Sequence, residues 1–266
     1  MRKYRFWAML AGFPLWLECT HPYAMHQFHL YRIFPTDAQR AEFAALAGRE
    51  APISLTQTEL DTLSSSASAE EDTPPGYLES LELYRKICDL LLPRNVLLFH
   101  CSAVALDGSA YLFTAPSGTG KSTHARLWRE RFHTRLTFLN DDKPLLRFLP
   151  DGQVLACGTP YAGKEGLHTN NQAPVKGILV LRQSPCNTIQ PLTPREAFPI
   201  FYQQAFRALQ RPELLHTSLD LIHRLAQLPA YTLNCNISQE AVTLAHQTLT
   251  GGSCYETETR IYFPRH

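Results

Sequence analysis

Nine consecutive residues, Ala115-Pro116-Ser117-Gly118-Thr119-Gly120-Lys121-Ser122-Thr123, combine the residue types that bind phosphate. An apolar run leads into them and a helix-prone run follows, so the segment lies between a strand and a helix. Small residues there let successive backbone N–H groups turn inward toward phosphate oxygens. The helix start adds a favourable partial positive charge. On this reading Ser117, Gly118, Thr119, Gly120, Lys121, Ser122 and Thr123 cradle the phosphates of a nucleotide. Lys121 reaches the β- and γ-phosphates and the Ser122 hydroxyl ligates magnesium. Ala115 stands where such loops usually carry their first glycine, which makes this a relaxed form of the motif.

A second constellation, Asn140-Asp141-Asp142, ends the apolar run Leu136-Thr137-Phe138-Leu139 about twenty residues further on. A carboxylate at a strand end beside a phosphate loop can hold Mg²⁺. A second one can accept the proton of an attacking hydroxyl. Adjacent strand residues face opposite ways, so both reach one site only if the chain turns after Leu139. The roles of Asp141 and Asp142 stay interchangeable at this level, with Asp142 set beside Ser122 as the metal ligand. Three further side chains bear on the same chemistry. His100 closes a strand and could bond either a phosphoryl group or an aspartate; a purely structural histidine fits equally well. Lys164 lies in a glycine-flanked loop and could cover a transferring phosphate as a mobile cation. His124 is placed on the outward face of the helix, with no role.

The elements that must position these groups are legible around them. Residues 96–99 read as a strand, and 102–106 with 110–114 as a hairpin about Asp107-Gly108. A helix over 121–131 and a strand over 136–139 follow. A second hairpin is read about Asp151-Gly152, and a buried strand over 176–181. Thr193-Pro194-Arg195-Glu196 is a capping box with proline at the first helical position. A helix over 213–227, a strand over 231–236 and a helix capped by Ser238 complete the core. Upstream, a helix is expected near 78–91, ended by Pro93. Residues 4–9 and 27–33 read as strands, and Thr36 caps a helix ending at Gly48. Residues 64–76 carry no apolar periodicity and read as a linker. The expected organisation is a small N-terminal α+β unit over 1–75 and an α/β core with a mixed, partly antiparallel sheet over 76–266.

Taken together, Phe99-His100-Cys101-Ser102-Ala103-Val104, the hairpin, the 115–123 loop and Leu139-Asn140-Asp141-Asp142 resemble the core of HPr kinase/phosphorylase, which is related to the nucleotide domain of phosphoenolpyruvate carboxykinase. In that superfamily a histidine precedes the hairpin and an Asp-Asp pair follows the first strand after the loop; these fall on His100, Asp141 and Asp142. The stretch Cys157-Gly158-Thr159-Pro160-Tyr161-Ala162-Gly163-Lys164 is similar to one in short HPr-kinase-like proteins, some of which phosphorylate a serine on a ribosomally made precursor peptide, including lasso peptides. The resemblance spans residues 90 to 250. It implies a P-loop kinase using ATP and Mg²⁺, with Asp141, Asp142, Lys121, His100 and Lys164 at the reacting centre. The implied acceptor is a hydroxyl, on a peptide serine or on a small molecule such as free serine. A nucleotide-binding regulator without transfer activity is the alternative. The aromatics Tyr4, Phe6, Trp7, Trp16, Tyr23 and Tyr31 could line a peptide-binding surface or fill a small core.

Composition narrows the partners. The chain has 266 residues, a formal net charge of +1 and a hydrophobic fraction of 44%. That charge gives no long-range pull toward nucleic acid or an acidic membrane, and the apolar content suffices for a large core. The seven cysteines are scattered with no CxxC pair, which argues for reduced thiols rather than a disulfide framework or zinc site. No apolar run is long enough to span a bilayer and no signal-peptide cleavage site follows the first apolar residues, so a soluble cytoplasmic protein is expected, with self-association left open.

Overall fold

The structure is a computed structural model that describes residues 3–47, 51–67 and 73–251. Its N-terminal part is a three-stranded antiparallel sheet. β1 (Tyr4–Leu10) and β2 (Phe13–Cys19) form a hairpin, and β3 (Arg32–Ile33) pairs with the other side of β1. β2 contains a proline, Pro14. It is tolerated because β2 is an edge of the order β2-β1-β3, where a missing N–H need break no ladder bond. The strand expected over 27–33 shrinks to two residues. Before it comes α1 (Pro22–Gln27), with proline in its first turn, and Phe28 and Tyr31 then turn into the core.

α2 (Asp37–Ala47) starts as its capping box predicts: Thr36 N donates to Gln39 Oε1 at 2.9 Å and Gln39 N to Thr36 Oγ1 at 3.3 Å. α3 (Gln57–Ala67) was not foreseen, although Thr56 and Glu59 cap it in the same way. It takes in residues 64–67 of the stretch read as a linker, and α4 (Pro75–Leu91) takes in the last two; residues 68–72 lie outside the described residues. The N-terminal sheet buries Phe6, Leu15 and Leu17 in one cluster with Leu83, Tyr84 and Ile87 of α4, and with Tyr161. Of the N-terminal aromatics, Phe6 and Tyr31 are core residues, Tyr4, Trp7 and Trp16 are half-buried, and Tyr23 is exposed.

The large sheet is mixed and nine-stranded. Its strands are β4 (Val96–Leu98), β5 (Ser102–Leu106), β6 (Ser109–Thr114), β7 (Leu136–Asn140), β8 (Leu145–Phe148), β9 (Val154–Cys157), β10 (Gln172–Gln183), β11 (Thr188–Pro191) and β12 (Ala230–Cys235). They run in the order β4-β8-β9-β10-β6-β5-β7, with β12 beside β10 and β11 beside β12. The β5–β6 turn is the one read from sequence: Asp107 and Gly108 have φ of 49° and 80°, as a two-residue hairpin turn requires. β6, β10 and β12 are mutually parallel. β7 and β6 both run antiparallel to β5, so β7 shares their direction. The carboxyl ends of four strands therefore open on one edge, where ligands of α/β sheets bind.

Helices cover both faces. α5 (Lys121–Phe132) and α8 (Gln239–Thr250) lie on one side, α6 (Pro194–Gln204) and α7 (Pro212–Ala226) on the other. The buried run of β10 shows why: Ile178 and Val180 pack toward α6 and α7, whereas Leu179 and Leu181 pack toward α5 and α8. A strand covered on both faces reads as a continuous apolar run. α6 carries the anticipated capping box, Thr193 with Glu196, and Ser238 caps α8. Trp128 of α5 is fully buried between Tyr111, Phe113 and Phe132; its truncation to alanine costs about 3–5 kcal/mol.

Among the described residues, no helix is long and apolar enough to cross a membrane. Six cysteines are free thiols, four of them buried; Cys254 lies outside the described residues.

Candidate active site

The 115–123 segment leaves the end of β6 and enters α5 directly. Gly118 and Gly120 have φ of 79° and 113°, which side-chain-bearing residues rarely adopt. Ala115 is buried and does not have positive φ, so this position does not need a glycine, and the departure from the usual pattern leaves the turn intact. Lys121 is 8% exposed and its Nζ donates to Ala115 O at 3.0 Å and Pro116 O at 3.4 Å. Burial pulls its ammonium below the ordinary lysine range. The loop is braced from β10, where Gln183 Nε2 donates to Thr119 O at 3.2 Å.

β7 extends one residue further than anticipated, through Asn140, and the chain turns there. Asn140 makes the turn: its Oδ1 accepts from Asp142 N at 2.8 Å and Lys143 N at 2.6 Å, and its Nδ2 donates to Thr159 O at 2.9 Å and Thr159 Oγ1 at 3.0 Å. Such an Asx turn satisfies backbone donors that would otherwise be stranded. It brings the two carboxylates to one cavity of about 290 Å³, lined by His100, Gly118, Lys121, Ser122, Asp141 and Asp142 among others.

The two aspartates have different surroundings. Asp141 is 4% exposed and its Oδ1 accepts from Ser102 Oγ at 2.7 Å. Burial raises its pKa above the ordinary carboxylate value, against hydrogen bonds from Ser102 and Ser122 that lower it. Gly163 lies against it: a Cβ there would be 3.4 Å from Asp141 Oδ2. Asp142 faces cations instead. Its Oδ1 lies 3.2 Å from His100 Nε2, and its Oδ2 accepts from Lys143 Nζ. Burial works against its charge, but the His100 and Lys143 bonds outweigh that and hold its carboxyl below the usual range. Ser122 is thus a neighbour of Asp141, whereas Asp142, the carboxylate first set beside the metal, is engaged by His100 and Lys143.

His100 lines the same cavity. Lys164 is exposed, one residue beyond Gly163, and is not part of the cavity lining. His124 corrects the outward placement given to it. It is 3% exposed, its Nε2 accepts from Trp128 Nε1 at 3.0 Å, and its ring packs edge-on against Phe113. Burial lowers its pKa to about 4. The helix had to turn this histidine inward because Trp128, four residues later, shares its face; that spacing was the available signal. Ser102, Gln183 and Gln204 went unrecognised at the site because their roles depend on contacts remote in sequence.

Two clefts flank the loop. One, of about 620 Å³, runs over Thr123 and Leu127 to Asn236 and Ile237. The other, of about 600 Å³, lies between Pro116, Val180 and the α6 residues Ile200, Gln203 and Gln204.

No protein-family model matches the chain, and no curated protein matches it in sequence. Among solved structures it is similar to the Hpr(Ser) kinase/phosphatase from Coxiella burnetii. The TM-score is 0.36 and the identity 12%, over 58% of this chain and 97% of that one. The likeness is distant and partial, and residue roles are not carried across from it.

Proposed function

We propose that the protein is an ATP-dependent kinase that transfers a phosphoryl group to a hydroxyl, on a peptide or a small molecule. The observation that supports this best is the convergence on one cavity of a glycine-turned loop, the Lys121 ammonium, the Ser122 hydroxyl and two carboxylates with opposed pKa shifts. Groups whose environments push their acidities apart take different tasks. Backbone N–H groups of the loop and Lys121 hold the phosphates. The Ser122 hydroxyl and the Asp141 carboxylate are hard oxygen donors, and a buried carboxylate held against desolvation suits Mg²⁺. Mg²⁺ supplies charge neutralisation on the phosphate oxygens when bound.

Asp142 is assigned the proton-accepting role on geometry, because His100 orients it, whereas Asp141 faces Ser102 and Ser122. Asp142 stays ionised, and His100 keeps one of its oxygens oriented. The acceptor O–H gives its proton to Asp142, its oxygen bonds to the γ-phosphorus, and the bond from that phosphorus to the β,γ-bridging oxygen breaks, releasing ADP. Catalysis on this scheme is positioning plus charge stabilisation. The cleft toward Ile237 suits the nucleoside, since it extends from the loop along α5. The cleft along α6 lies on the His100 side and suits the acceptor. Its walls include the exposed residues Pro116, Arg182 and Gln203, so it is a surface groove that favours an extended peptide over an enclosed metabolite.

The test is incubation of the purified protein with γ-labelled ATP and Mg²⁺, with free serine or a serine-bearing peptide as acceptor. Label on either acceptor supports the kinase, and the preferred one sets the substrate class. Saturable nucleotide binding with no transfer to any hydroxyl makes the chain a nucleotide-binding regulator instead.

A further inference from the structure

His100 is gripped from the side opposite Asp142 by a single residue at the end of α6. Its backbone N donates to Gln204 O at 2.9 Å, and its Nδ1 lies 2.9 Å from Gln204 Oε1. The neighbouring residues extend the grip: Phe99 bridges to Ala205, and Phe206 N donates to Leu98 O at 2.9 Å. The end of α6 is therefore stitched to the strand that delivers His100. The Gln204 amide oxygen and the Asp142 carboxylate both only accept hydrogen bonds, so each ring nitrogen of His100 must donate to the group it faces. A bond at each end of the ring fixes its plane and keeps Nε2–H aimed at Asp142.

Resting on the kinase reading, we infer that Gln204 is a positioning residue. Its side-chain oxygen accepts the Nδ1 proton of His100 and so turns Nε2–H toward Asp142, the carboxylate that takes the acceptor proton. Gln204 also lines the α6 groove, so the residue that orients the histidine touches the surface on which the acceptor lies. The main-chain bond from His100 N to Gln204 O does not depend on the side chain. Substitutions at 204 therefore separate ring orientation from strand placement.

The experiment compares Gln204→Met, which keeps length and accepts nothing, with Gln204→Glu, which keeps an accepting oxygen. Long-range ¹H–¹⁵N spectra of histidine-labelled full-length protein report the proton position, with the His100 signals identified by their loss in His100→Gln. Steady-state kinetics report kcat and the KM for ATP. A protonated Nδ1 is expected in the wild type and in Gln204→Glu, and its loss in Gln204→Met. With that loss, kcat should fall about tenfold or more, within reach of a misplaced acid–base group, at unchanged KM for ATP; Gln204→Glu should recover most of it. An unprotonated Nδ1 in the wild type, identical His100 signals in Gln204→Met, or a kcat for that variant within twofold of wild type overturns the inference. A wild-type protein that transfers no phosphate overturns the kinase reading, and the spectra still decide whether Gln204 sets the ring.

Discussion

Replacing Asp141 by asparagine should sharply lower activity at limiting Mg²⁺ while leaving the fold as stable as before, or more so. In the folded protein burial raises the Asp141 pKa above its ordinary value of 3.8. The folded state therefore binds more protons than the unfolded state as pH rises through that value. Its stability falls across the window up to the raised pKa, and the full penalty remains at neutral pH. Asparagine removes the charge and the penalty. Its Oδ1 can still accept from Ser102 Oγ, the bond now 2.7 Å long, so the contribution of about 1 kcal/mol from that bond is kept. Asp141→Ala differs: it leaves the buried Ser102 hydroxyl only its long bond to Asp141 O, at 3.4 Å, a loss of about 1 kcal/mol, or a few degrees of melting temperature in a chain of this size. Thermal unfolding at pH 7, with and without Mg-ATP, separates the two variants. Asp141→Asn should melt at or above the wild type and lose the magnesium-dependent part of the ligand stabilisation. If Asp141→Asn instead melts as low as Asp141→Ala, Asp141 is a structural pivot and the account of its stored charge is wrong.

Lys121→Ala should keep its secondary structure by circular dichroism and lose phosphoryl transfer; a variant retaining more than about a tenth of the wild-type rate would place the charge-stabilising group elsewhere. Asp142→Asn should lose turnover at every Mg²⁺ concentration, since no metal replaces a proton acceptor, whereas Asp141→Asn should regain part of its rate as Mg²⁺ is raised. The His124 pKa is lowered from 6.5 to about 4 by burial, so the unfolded state takes up a proton that the folded state refuses. Stability is then lost as pH falls from 6.5 toward 4, and urea midpoints of His124→Gln should fall less over that range than those of the wild type. Tyr31→Phe removes bonds of 3.0 Å each to His168 Nδ1 and Thr169 O; it should cost about 1–3 kcal/mol in chemical denaturation and lower kcat, and an unchanged kcat would separate the N-terminal sheet from the site.

The site was legible where local geometry dictates residue type. Gly118 and Gly120 are written into the sequence because the backbone there excludes other residues, and Asp107-Gly108 marks its hairpin for the same reason. The capping boxes at Thr36 and Thr193 are equally local. Thr56 with Glu59 carried the same signal, but the polar run after it obscured the helix. The division of labour between Asp141 and Asp142 was not legible, since it depends on Ser102 and His100, some forty residues upstream. His100 and Gln204 are separated by 104 residues, and no periodicity couples them.

The stretch from 158 to 171 that lays Gly163 against Asp141 stands like an arch on two abutments, each tied to the large sheet, where Asn140 Nδ2 donates to Thr159 O at 2.9 Å and Thr169 N donates to Leu139 O at 3.2 Å, and each also braced from outside it. At one foot Tyr161 stacks on Tyr84 at 3.8 Å between ring centres, its hydroxyl donates to Ser80 O at 2.9 Å, and Gln27 Nε2 donates to Pro160 O at 3.1 Å. At the other foot Tyr31 bonds both His168 and Thr169, and Asn170 Nδ2 donates to Leu30 O at 3.1 Å. The span between the feet is residues 162–167, tied once to α5 by Arg126 and Glu165 at 2.8 Å. With both feet fixed, an extra residue in the span can only raise the crown, and a missing one can only flatten it onto the carboxylate. The clearance above Asp141 thus depends on residues 27, 31 and 84 as well as on β7, so sequence drift in the N-terminal segment would retune a cavity to whose lining it contributes no residue.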